Sequence, residues 1–194
     1  MMADPYVYPG TNVLKNKFNL RDEGALREAE YQATYNRTAA LEGNPIKGNF
    51  DMAHLRACHK HLFQDVYEWA GKLRTVNISK GESRFASAEF LDSAMKDLHK
   101  RLKADHFLRG LEKKAFVDKF TDFYSDMNAL HPFREGNGRA TREFMKQLAH
   151  EAGYRFDIVK ISHDRNRWNE ASELAFFGRT GELRAIMDES ISPL

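Results

Sequence analysis

The strongest constraint on this chain is the run His131-Pro132-Phe133-Arg134-Glu135-Gly136-Asn137-Gly138-Arg139, followed three residues later by Arg142. It joins two segments with helical spacing. Ahead of it, over 112–130, Phe116, Phe120, Phe123, Tyr124, Met127 and Leu130 recur at three and four, which predicts an amphipathic helix with a core-facing aromatic stripe. Behind it, a helix from near Arg139 carries Phe144, Leu148 and Ala152 on one side and stops at Gly153. The loop between them collects chemistry suited to a polyphosphate. Gly136 and Gly138 let successive backbone N–H groups turn towards one anion, and the new helix adds its free N–H groups and the positive end of its dipole. Arg139 and Arg142 can point guanidinium forks into the same space. Glu135 would repel phosphate unless a cation stands between them, which predicts Mg²⁺. His131 is the one group here whose ordinary pKa lets it take a proton near neutral pH. The residues alone therefore point to phosphoryl-type transfer from a Mg-nucleotide to a nucleophile activated by His131.

This stretch resembles, position for position, the Fic-domain signature His-Pro-Phe-x-Asp/Glu-Gly-Asn-Gly-Arg-x-x-Arg, and the resemblance extends over roughly residues 5–190, including Tyr67-Glu68-Trp69-Ala70-Gly71-Lys72-Leu73-Arg74. It implies a mainly all-α Fic fold and the transfer of AMP from Mg-ATP to a Ser, Thr or Tyr hydroxyl of another protein, with pyrophosphate released. In that scheme His131 is the general base and Glu135 holds Mg²⁺. Gly136, Asn137 and Gly138 form the anion nest, and Arg139 and Arg142 neutralise the outer phosphates. Pro132 and Phe133 are structural, stiffening and anchoring the loop. Related enzymes that transfer UMP or phosphocholine are the alternative chemistry, and a catalytically silent binding module is the alternative class.

With 194 residues, the rest of the chain predicts an extended arm over 1–20 and a single Fic domain over 21–194. Helical patterning runs from near Arg21 towards Leu41, and Gly43-Asn44-Pro45 ends it. Asp51 is an N-cap candidate for a second helix, closed by Trp69-Ala70-Gly71. The alternating segment Arg74–Ala86, with its turn at Lys80-Gly81-Glu82-Ser83, predicts a β-hairpin and the only β structure in the chain. A hairpin is marginal by itself, so it must pack on helices or serve a partner. By resemblance it is a flap whose edge pairs with the target, with Ile78, Lys80 and Phe85 clamping the modified side chain. Further helices are expected over 87–104, 164–176 and 181–190.

Thirty basic against 28 acidic residues leave a net charge of +2, which carries no nucleic-acid or membrane footprint. The single cysteine, Cys58, excludes an internal disulfide and fits a reducing compartment. The expected setting is a bacterial cytoplasm, or a host cell for a translocated effector. His54, Cys58, His59 and His61 invite a zinc reading, but no second cysteine completes a thiolate set, and helix packing accounts for His59 better. Many Fic proteins are silenced by a helix of the form Ser/Thr-x-x-x-Glu-Gly/Asn. Thr38-Ala39-Ala40-Leu41-Glu42-Gly43 fits it literally, and if it acted, Glu42 would pair with Arg142. So loose a pattern also arises by coincidence, and inhibition by a separate small antitoxin-like protein is the expectation. The resemblance implies a protein target docked on the flap, a type II topoisomerase for a toxin or a host protein for an effector.

Overall fold

The computed structural model describes residues 4–194, so the first three residues of the expected arm lie outside the described residues. The arm is not simply extended. Val7 bridges Leu14, and Tyr8 and Val13 are buried. Helix α1 (Glu23–Ala39) starts where the Asp22 carboxylate accepts the Ala25 N–H at 2.8 Å. Helix α2 (Met52–Phe63) is capped in the same way by Asp51, as its sequence predicts, and buries Leu55, Cys58, Leu62 and Phe63.

That helix ends at Phe63, well before Trp69-Ala70-Gly71. The N–H groups of Val66 and Tyr67 both turn back to the Phe63 carbonyl, and the chain continues as successive turns. Their aromatic side chains explain the departure. Tyr67 stacks on Trp69 with ring centroids 4.2 Å apart, and Tyr6 of the arm meets Trp69 edge-on at 5.6 Å. These rings, with Tyr8, Val13, Leu26 and Phe63, form a second, smaller core.

The expected hairpin is shorter than its alternating pattern suggests. Strands β1 (Ser79–Lys80) and β2 (Ser83–Arg84) pair antiparallel, Ser79 opposite Arg84 and Lys80 opposite Ser83. The backbones of the flanking residues 74–78 and 85–86 are not paired in a ladder; the Arg74 side chain bonds the Val76 and Ala86 carbonyls, and the Ala86 N–H reaches Ala129 of α4. After a 3₁₀ turn at Ala88–Phe90 comes α3 (Leu91–Ala104), then α4 (Lys113–Leu130), the aromatic-striped helix. Helix α5 (Asn137–Glu151) begins two residues earlier than expected, and Gly153 beyond it adopts φ +91°. Helix α4 packs against α3 and α5, and α5 against α2. Phe116, Phe120, Phe144 and Leu148 are fully buried between them.

The hairpin is not the only β structure. Strand β3 (Tyr154–Phe156) pairs antiparallel with β4 (Ile191–Pro193), Phe156 opposite Ile191. Three-residue strands are too short to display alternation in sequence, and the two are separated by the three helices between them. Between them run α6 (Ile158–His163), which has no counterpart in the sequence expectation, α7 (Arg165–Phe176) and α8 (Gly181–Ser190). Both α7 and α8 pack on α4. Among the described residues no helix is long and apolar enough to cross a membrane.

Candidate active site

The loop between α4 and α5 opens into a cavity of about 870 Å³ walled by α1, the hairpin, α5 and α7. His131 is the C-cap of α4, in the left-handed region at φ +46°, and this turns its imidazole out of the helix line. Its Nδ1 lies 3.0 Å from the Asn128 carbonyl. A carbonyl can only accept, so Nδ1 carries the proton and Nε2 keeps a free lone pair. Phe85 of the hairpin stacks on the ring at 3.8 Å and 12°. Burial, with the cations Arg74 and Lys80 adding to it, pushes the imidazole pKa down to about 4. At neutral pH the ring is an uncharged base.

The loop that follows is braced from three sides. Asn137 is buried, and both ends of its carboxamide are spent on Phe133: Oδ1 accepts the Phe133 N–H and Nδ2 donates to the Phe133 carbonyl, each at 2.8 Å. The carboxamide thus ties the loop to itself between Phe133 and the first residue of α5. His59 braces the opposite side. Its Nδ1 accepts the Gly71 N–H at 2.9 Å, so Nε2–H donates to the Glu135 carbonyl at 2.9 Å. Gly136, at φ +80°, passes so near Phe63 that a Cβ would lie 2.3 Å from the ring.

The first bonded amide of α5 is Ala140, to the Gly136 carbonyl at 3.1 Å, which leaves the N–H groups of Asn137, Gly138 and Arg139 without intrahelical acceptors. Arg142 lies over this turn: its Nη1 would be 3.2 Å from a Cβ on Gly138. It makes no ion pair among the described residues, and burial lowers its pKa, with Arg139 and Arg165 adding to the effect. A half-buried cation without an ion-pair partner favours the arrival of an anion. Arg139 is differently placed. Glu30 of α1 takes its Nη2 at 2.5 Å, Thr34 Oγ1 lies 3.4 Å from Nη1, and the guanidinium sits 4.6 Å over the Phe63 ring. The other Glu30 oxygen accepts from the Tyr67 hydroxyl, whose pKa is raised by burial and by that carboxylate.

Glu135 is exposed at the cavity, with Oε1 accepting the Gly136 N–H at 2.8 Å. Among the described residues no group of three His, Cys, Asp or Glu side chains could hold a metal ion alone. A single carboxylate beside a phosphate nest suits Mg²⁺, which keeps several waters and takes remaining ligands from the nucleotide. The zinc alternative has no support, because His54 and His59 are spent on backbone partners.

Lys80 and Phe85 line the cavity with His131, whereas Ile78 sits half-buried just before β1 and is not among the lining residues. Glu42 is exposed in the turn after α1 and makes no ion pair with Arg142. Sequence reasoning missed Glu30, Arg74 and the α7 face that supplies Trp168, Asn169 and Ser172 to the cavity. Of these only Arg74 carried a signal, as the last residue of the Tyr67–Arg74 run.

Free amides at a helix N-terminus, an uncharged imidazole and a hairpin around one cavity fit a nucleotide-dependent transferase. The family profile of Fic/DOC matches residues 49–149, and the chain belongs to the Fic/DOC family. It is 36% identical to a probable protein adenylyltransferase Fic of Escherichia coli K12 over 97% of this chain and 92% of that protein. It is 38% identical to the protein adenylyltransferase VbhT of Bartonella schoenbuchensis over 97% of this chain, which spans 39% of VbhT. The fold is similar to BepC, a VirB-translocated effector from Bartonella tribocorum solved with AMPPNP, at a TM-score of 0.91 and 30% identity, covering 97% of each chain.

Proposed function

We propose that the protein transfers AMP from Mg-ATP to a hydroxyl side chain of another protein. The observation that carries this reading is the convergence on one cavity of an uncharged imidazole with a free Nε2 and an unpaired, half-buried Arg142 over the α5 amides. His131 Nε2 takes the proton as the target oxygen attacks the α-phosphorus. The P–O bond to pyrophosphate then breaks, and pyrophosphate leaves. The amides of Asn137 and Gly138, together with Arg142, hold phosphate oxygens, and Arg139 adds its charge from the α1 side. Glu135 would hold Mg²⁺, which neutralises the polyphosphate. Support for ATP comes from the adenylyltransferase relatives and from the AMPPNP bound to BepC. Lys80 and Phe85 at the cavity rim would orient an incoming protein segment docked on the hairpin edge.

The test is incubation of the protein with Mg-ATP and a cell lysate, followed by mass spectrometry of the lysate proteins and of the chain itself. An AMP-sized adduct that disappears with His131→Ala and with EDTA supports the reading. An adduct formed only from UTP or a choline nucleotide overturns the AMP assignment, and persistence with His131→Ala overturns the base.

A further inference from the structure

Arg74 is a charged side chain only 2% exposed, yet it pairs with no carboxylate among the described residues. Every donor it uses goes to a backbone carbonyl. Nε donates to His131 at 2.8 Å, Nη1 to Val76 at 2.8 Å, and Nη2 to Ala86 and, at 3.4 Å, to Leu130. Its own amide donates to the Pro132 carbonyl at 2.9 Å. Val76 and Ala86 are the two roots of the hairpin. Leu130 and His131 are the end of α4 and its cap. One planar fork thus spans both sides of the flap and the backbone of the proton acceptor.

The chemistry of the partners explains why an arginine stands here. The last carbonyls of α4 have no intrahelical donor and form the negative end of its dipole, so a cation is favoured there. A rigid guanidinium can serve several carbonyls in fixed directions at once, which a lysine ammonium on a flexible stem cannot. The ladder between β1 and β2 covers only two residues per strand, too little to fix the flap by itself. The Ala86 amide adds one bond, to the Ala129 carbonyl at 3.0 Å. Immediately before Ala86, Phe85 stacks on the His131 ring, so any slack at the roots moves that ring too.

We propose that Arg74 is a positioning residue that locks both roots of the flap to the His131 backbone, so that one side chain sets where the target segment lies and where the base meets it. The catalytic consequence rests on His131 being the base. The charged groups facing His131 are Arg74 and Lys80, while Glu135, Arg139, Arg142, Arg165 and Glu173 line the same cavity. Removal of Arg74 therefore takes away a nearby positive charge as well as the fork.

The test compares the full chain with Arg74→Lys and Arg74→Met. Hydrogen exchange of amides 79–84, NMR titration of the His131 ring and calorimetric binding of Mg-AMPPNP are measured beside AMP transfer from ATP to lysate proteins. In Arg74→Lys, flap exchange rises about tenfold or more and transfer falls about 10–100-fold, while AMPPNP affinity stays within about threefold because the nest is untouched. In Arg74→Met the His131 pKa also rises, because a nearby positive charge is gone. Unchanged flap exchange and unchanged transfer in folded Arg74→Lys overturn the lock, as does an equal loss of AMPPNP binding. If Arg74→Met does not fold, Arg74→Lys alone decides. Persistence of transfer in His131→Ala would sink the base assignment, but flap exchange in Arg74→Lys would still decide the lock.

Discussion

The direction of the His131 pKa shift sets how the proposed transferase responds to pH. A ring held at about 4 by burial and two cations is already deprotonated throughout the neutral range. The transfer rate per unit free enzyme should therefore stay flat from about pH 6 to 8, and its acid limb should have a midpoint near 4 rather than near the ordinary histidine value. A profile of kcat/KM against pH checks this, and a limb near 6.5 would mean that the ring is more solvated than its contacts indicate. Gly136 offers a second test at the same scale. An alanine there must adopt φ +80° and place a methyl 2.3 Å from the Phe63 ring, and Phe63 cannot retreat because it is fully buried. Gly136→Ala should cost about 2–4 kcal/mol in urea unfolding and abolish transfer. The loop's residue types were legible in the sequence because all its chemistry-bearing groups are consecutive. Two of its side-chain contacts were not. The carboxamide of Asn137 turned inward to Phe133, and Arg139 found Glu30, a partner 109 positions away that no local pattern announces.

The N-terminal arm shows at the level of an element how burial and charge divide the task of holding it. Asp4 takes Arg134 of the signature loop, with Nε–O 2.9 Å and Nη2–O 2.8 Å, but both side chains keep access to water, at 23% and 29% exposure. Such a pair contributes under about 1 kcal/mol. Tyr8 is different. It is 8% exposed, sits under the Arg21 guanidinium at 3.5 Å, and packs in the smaller core with Val13 and Phe63. Chemical denaturation should therefore find Asp4→Ala within about 1 kcal/mol of the parent and Tyr8→Ala lower by about 2–4 kcal/mol. A reversal would show that the arm is strapped down by charge. Helices α1, α2, α4 and α5 were legible, since long periodic segments and Asp caps are local signals. The early end of α2, the truncated hairpin ladder and the β3–β4 pair were not. The first depends on aromatic stacking, the second on the contacts that Arg74 and the end of α4 make with the hairpin roots, and the third on a strand partner distant in sequence.

Across the whole molecule, α2 is hydrogen-bonded to the signature loop through a neutral histidine, beside the packing of Phe63, and this couples acid stability to the site. His59 is fully buried, stacked 3.8 Å from Phe133 and 4.6 Å from Phe63, and burial pushes its pKa down to about 4. The shift is downward, so the unfolded chain binds the proton more readily than the folded one. The stabilisation is complete above the ordinary value of 6.5 and is lost as the pH falls from there towards 4. Its full size is on the order of 3 kcal/mol. Protonation also turns Nδ1 from acceptor to donor, so it faces the Gly71 N–H instead of receiving it, and the brace on the Glu135 carbonyl loosens with it. The folding free energy should thus fall steeply between pH 6.5 and 4, and His59→Gln should flatten that fall while lowering stability at pH 7. Urea unfolding of both proteins at intervals across this range separates the contributions. An equally steep fall in His59→Gln would assign the acid sensitivity to other groups. A flatter one would show that the packing of α2 against the loop, and with it the shape of the phosphate nest, depends on this ring remaining uncharged.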